Sequence, residues 1–60
     1  MTIVVMDYSA SEVIIHQNVD CTLIEEKYDN NVERYLVEEH GYRSDEIYYM
    51  YGDITMRFEN

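Results

Sequence analysis

The chain has no proline, one cysteine, two glycines and only four lysines and arginines in its 60 residues. Each shortage excludes something. Without proline, and without a repeat or low-complexity tract, no stretch reads as a linker, so a single domain over 1–60 is expected. The lone Cys21 excludes an intramolecular disulfide and with it the stapled miniproteins of the secretory route. A reducing, cytoplasmic setting is the simplest expectation. No apolar run approaches the roughly 18 residues that span a bilayer, and no basic-then-apolar segment reads as a signal peptide. The segment "TIVVM" is too short for either role. The four basic residues face thirteen acidic ones, a formal net charge of −9. A field of that sign repels phosphates and anionic lipid surfaces, so neither direct nucleic-acid binding nor membrane binding is expected. A basic or neutral protein partner fits the charge better. The charge also serves, more simply, to keep a small tyrosine-rich protein soluble.

What is present is apolar patterning. The hydrophobic fraction of 47% belongs to a globular chain. A domain of this length buries only about 60% of its unfolded surface, so each apolar side chain matters to stability. "TIVVMDY" and "EVIIHQNV", separated by "SAS", are two β-branched runs around a polar break and predict a hairpin. Both faces of each run carry apolar residues: Ile3 and Val5 against Val4 and Met6, then Val13 and Ile15 against Ile14 and His16. The register is therefore open, but a strand apolar on both sides suits the middle of a sheet.

From Val32 the spacing turns helical, with Val32, Tyr35 and Leu36 on one stripe. Asn30 with Glu33 three residues on reads as a capping box, and His40 followed by Gly41 as a stop, which predicts a helix near 30–40. Thr22 with Glu25 offers a second capping box, and Ile24 and Tyr28 extend the stripe backwards. "DNN" at 29–31 favours a fresh start there, which leaves 21–29 as a loop or irregular turn.

In "EIYYMYGDITMRF", Gly52-Asp53 reads as a two-residue hairpin turn between strands. The register then places Tyr51, Tyr49 and Ile47 opposite Ile54, Met56 and Phe58 on one wholly apolar face, with Tyr48 opposite Arg57 and Met50 opposite Thr55 on the other. The expected fold is a two-layer α+β domain in the order β-β-α-β-β, its antiparallel sheet of two hairpins packed on one helix. One helix leaves the second sheet face uncovered.

The chemistry-bearing residues are sparse. His16, His40 and Cys21 are the only soft metal ligands; they lie far apart along the chain without C-x-x-C or H-x₃-H spacing, so no metal site is expected. Cys21 sits among Asp20, Glu25 and Glu26, the wrong sign to activate a thiolate. The paired carboxylates Glu25-Glu26, Glu38-Glu39 and Asp45-Glu46 read as a solvated face, since a domain this small seldom forms the pocket that retunes a carboxyl group. No phosphate loop or EF-hand pattern occurs. Neither catalysis nor a cofactor is expected. Two binding readings remain. In the first, Tyr48 and Met50 on the uncovered face, joined by Tyr42 or Tyr8 and accompanied by Arg57, form an aromatic patch that recognises a protein partner or a second copy. Its plainer counterpart is a cross-strand Tyr48–Arg57 pair that only stabilises the sheet. In the second, clustered acids, above all Glu33, Glu38 and Glu39, imitate spaced phosphates and block a nucleic-acid-binding protein.

The segments "VVMDYSASEVIIH", "VERYLVEEHGY" and "EIYYMYGDITMRF" together resemble small acidic proteins carried by gut Bacteroidetes and their mobile elements. In these a short hairpin precedes a "V-E-x-[FY]-L…H-G-[YL]" helix and a final hairpin. Val32, Glu33, Tyr35 and Leu36 carry the likeness in the helix, and His40, Gly41 and Tyr42 at its end. The resemblance implies this fold and a mobile-element origin, and no catalytic residues. The run "YYMYGD" stands where that pattern has a more polar strand.

Overall fold

A computed structural model describes residues 1–59. Strands β1 (Thr2–Asp7) and β2 (Glu12–His16) form the first hairpin. Two helices follow, α1 (Cys21–Tyr28) and α2 (Val32–His40), and then strand β3 (Ile47–Gly52). The three strands form an antiparallel sheet in the order β2-β1-β3. The fold is α+β, with both helices on one face of the sheet.

The hairpin closes because Asp7 organises its own loop. Its carboxylate accepts from the Ser9 hydroxyl at 2.7 Å and the Ser9 and Ala10 amides at 3.0 and 3.3 Å. These donors hold the carboxyl below its usual range, with the Ser9 hydroxyl the largest contributor. The register pairs Ile3 with His16, Val5 with Ile14 and Asp7 with Glu12. Ile3 and Val5 consequently face inward and are fully buried. β1 is the central strand, as expected of a strand apolar on both sides, whereas β2, read in the same way, lies at the edge of the sheet.

The stretch 21–29, expected as a loop or irregular turn, is mostly helix. Asp20 makes it so: its side chain accepts from the Thr22 and Leu23 amides at 2.9 and 3.4 Å and caps α1, in place of the expected Thr22 box. α1 buries only Ile24 and Tyr28, a stripe too thin to announce itself in eight residues. Asp29 and Asn30 both adopt left-handed backbone (φ 56° and 62°), ending α1, and Asn31 caps α2 through the Arg34 amide at 3.0 Å. The fresh start read in "DNN" is real; it separates two helices. Gly41 (φ 76°) ends α2 where the stop was expected, its amide bonded to the Val37 carbonyl at 3.1 Å.

The predicted final hairpin does not form. β3 pairs with β1, setting Tyr51 against Ile3, Tyr49 against Val5 and Ile47 against Asp7, and residues 53–59 follow without regular structure. Gly52 (φ 127°) carries the chain away from the sheet. The physical reason is that a turn at Gly52-Asp53 permits a hairpin without requiring one. Ile47 is buried and Tyr49 half-buried, while Tyr51 near the end of β3 is 55% exposed. Met56 and Phe58, expected on the inner face, are exposed instead.

The core is a single cluster of Ile3, Val5, Ile24, Tyr28, Val32, Tyr35, Leu36 and Ile47, with Ile14, Leu23, Tyr42 and Tyr49 partly buried against it. Tyr28 joins the helices: its ring meets that of Tyr35 edge-on at 5.7 Å and its hydroxyl donates to Glu39.

Candidate interaction surface on the open sheet face

Strand alternation sends Val4 and Met6 of β1, Val13 and Ile15 of β2, and Tyr48 and Met50 of β3 to the side away from the helices. The register sets them in two rows across the sheet, Ile15–Val4–Met50 and Val13–Met6–Tyr48. Val4 is half-buried; the other five are exposed, Val13 and Tyr48 by 66% and 64%. Tyr8 extends the second row: its amide donates to the Glu46 carbonyl at 2.9 Å and its ring meets Tyr48 edge-on at 5.2 Å. Within the paired strands, no acidic or basic residue falls on this face. Monomers rarely leave contiguous apolar patches beyond a few hundred Å², and residues of these sizes and exposures make a face on the order of 600 Å².

Tyr48 and Met50 therefore stand together on the uncovered face, where the sequence put them, and the neighbour that joins them is Tyr8. Tyr42 lies on the helix side. Arg57 is not on the face: it sits in the segment after β3, ion-paired with Glu59 at 3.2 Å, and no strand brings it opposite Tyr48. The cross-strand Tyr48–Arg57 pair is thus overturned by the absence of a fourth strand. The larger part of the surface, Val13, Ile15 and Met6 from the first hairpin, escaped a reading confined to "EIYYMYGD". The alternation of β1 and β2 carried that signal once their inward residues were known.

A second constellation was missed altogether. His16 and His40, 24 positions apart, meet with ring centroids 4.5 Å apart and planes tilted by 45° where the end of β2 meets the last turn of α2. His16 Nε2 is hydrogen-bonded to the Tyr42 hydroxyl at 2.7 Å, and His40 Nε2 to that of Tyr35 at 3.0 Å. Burial pushes the His16 pKa down, and the adjacent His40 adds to the effect. The ring nitrogens facing the tyrosines are occupied by them, and among the described residues no group of three His, Cys, Asp or Glu side chains is placed to hold a metal ion. Cys21 is exposed and lines an open groove of about 380 Å³ with Met1, Ile24, Asn30, Val32 and Tyr51, with neither histidine and no other base among these neighbours.

The acids of α2 are partly spoken for. Glu38 pairs with Arg34 one turn earlier, and Glu39 takes both the Tyr28 hydroxyl and Lys27, the latter at 3.3 Å. The Tyr28 hydrogen bond, then Lys27, hold the Glu39 carboxyl below its usual range. Glu33 lies in the first turn of α2, at the favourable end of the helix dipole. Among the described residues no helix is long and apolar enough to cross a membrane. No protein-family model, curated protein or solved structure matches the chain.

Proposed function

We propose that this is a non-enzymatic protein that acts through protein–protein contact or self-association at the open face of its sheet, with Tyr48 and Met50 at the centre of the contact. One observation carries the reading: a chain of net charge −9 places no charged residue at the outward positions of its three paired strands. Charge elsewhere is dense enough that solubility alone would place some of it there. Aromatic and methionine side chains on a flat, uncharged surface are what interface centres are made of. A reducing, cytoplasmic location suits the free Cys21.

The competing reading, acidic mimicry of nucleic acid through Glu33, Glu38 and Glu39, is weakened because Glu38 and Glu39 already neutralise Arg34 and Lys27. Affinity capture from lysate, with low- and then high-salt washes, separates the two. Tyr48→Ala with Met50→Ala should abolish a capture that survives high salt, while charge reversal at Glu33, Glu38 and Glu39 leaves it intact. Capture of basic nucleic-acid-binding proteins that elute with salt, and that only the charge reversal abolishes, would overturn the contact reading.

A further inference from the structure

We infer that the occupant of the open face is a second copy of this chain, so that two sheets pack face to face; the inference rests on the contact reading above and names its partner. Three observations support it. The first is area. A face on the order of 600 Å² on each copy buries about 1,200 Å² in a two-fold pair, the lower limit of stable interfaces. The second is chemistry. The face offers only side chains to be packed, in rows Ile15–Val4–Met50 and Val13–Met6–Tyr48, with tyrosine hydroxyls as its sole polar atoms beyond Thr2. Nothing there would select a charged partner, whereas two twisted sheets with apolar faces pack on one another generically, about 10 Å apart and near −30°. The third is size. Eight buried residues form the whole core, Cys21 is free, and no metal cluster is present among the described residues. Association is the remaining way for so small a domain to enlarge its core.

Charge gives the inference a distinctive sign. Each copy carries −9, none of it at the outward strand positions, so the two copies repel as whole molecules without charge pairs between the apolar rows. Salt shortens the Debye length from about 8 Å at physiological strength and so strengthens this association, where it would weaken any contact held by charge pairs.

The test is sedimentation of the full chain across a range from low micromolar to high micromolar concentration, at low and high sodium chloride. The expected result is a shift from one copy of 7.2 kDa to two, with the dissociation constant falling several-fold at high salt. Val13→Lys and, separately, Met50→Lys should leave a monomer at every concentration with an unchanged circular dichroism spectrum, because both side chains are exposed in the single copy. Glu26→Gln on α1 makes the same one-unit charge change away from the face and should tighten the pair. Isotope-filtered NOEs from the Met6 and Met50 methyl groups, in a mixture of labelled and unlabelled chains, locate the contact without substitution. A wild-type monomer under all conditions, a dimer that salt dissolves, or a dimer without those NOEs overturns the inference. The wider contact reading fails separately, only if Tyr48→Ala with Met50→Ala also leaves the high-salt capture unchanged.

Discussion

The paired imidazoles of His16 and His40 are the clearest case of a single residue tuned by its surroundings. His16 is disfavoured as a cation by burial and by His40, while Tyr42, hydrogen-bonded to it, is itself pushed up by burial and by the nearby Asp7 and Glu12. A histidine whose folded pKa lies below its unfolded value of about 6.5 binds fewer protons folded than unfolded in that window, so stability is full above it and falls as pH drops through it. Thermal melts should therefore show a lower Tm at pH 5.5 than at 7.5, and His16→Gln should flatten that difference. The Asp7 and Glu39 carboxyls, both held low, withdraw their contributions only at more acidic pH, below the ordinary carboxylate range. Tyr28→Phe removes the larger of the two bonds on Glu39, and its NMR titration midpoint should rise. Leu36 is fully buried at the centre of the core. Leu36→Ala should cost about 2–5 kcal/mol, against a total of roughly 3–5 kcal/mol for a domain of this size, so the variant should be largely unfolded by circular dichroism.

At the scale of elements, two short helices hold together through their ends more than through their length. Eight and nine residues are too few for stable isolated helices, so caps and packing carry them. Asp20→Ala should destabilise the fold by about 1 kcal/mol, read as a lower urea midpoint with unchanged m. Gly41→Ala should cost about 1–2 kcal/mol, entirely from the left-handed backbone, since an added Cβ meets nothing within 4 Å. The four ion pairs are solvent-facing and add little. β1 and β2 depend on each other through the Asp7 loop, and β3 adds to the free edge of β1 without a turn joining them, which makes it the element held most by long-range packing.

For the whole molecule, charge and thinness decide behaviour. Every lysine and arginine is already in an ion pair, which leaves nine of the thirteen carboxylates without one. Repulsion among them is relieved by screening, so Tm should rise with added sodium chloride even where no partner is present. The shortest dimension of the chain, 12 Å across Cα atoms, is one helix-on-sheet spacing. Two layers give a sheet one covered side, and the other side meets water or another protein.

The hairpin at 2–16, the helix ending at Gly41 and the aromatic strand were all legible from periodicity and turn chemistry, because these act over a few residues. So was the prospect of an uncovered face bearing Tyr48 and Met50, which came from strand alternation together with too little helix to cover both sides, although the helices are two and the final hairpin does not form. α1 was obscured by its thin stripe and by a cap, Asp20, lying one residue before the segment being judged. The fourth strand was inferred from a plausible turn at Gly52-Asp53, but a turn only permits a hairpin. Whether strands pair depends on tertiary packing, which the turn residues do not encode. Strand order, the meeting of His16 with His40 and the union of Val13, Ile15, Met6, Tyr48 and Met50 on one face arose only in three dimensions. They join residues tens of positions apart, and no local preference of the chain encodes such a distance.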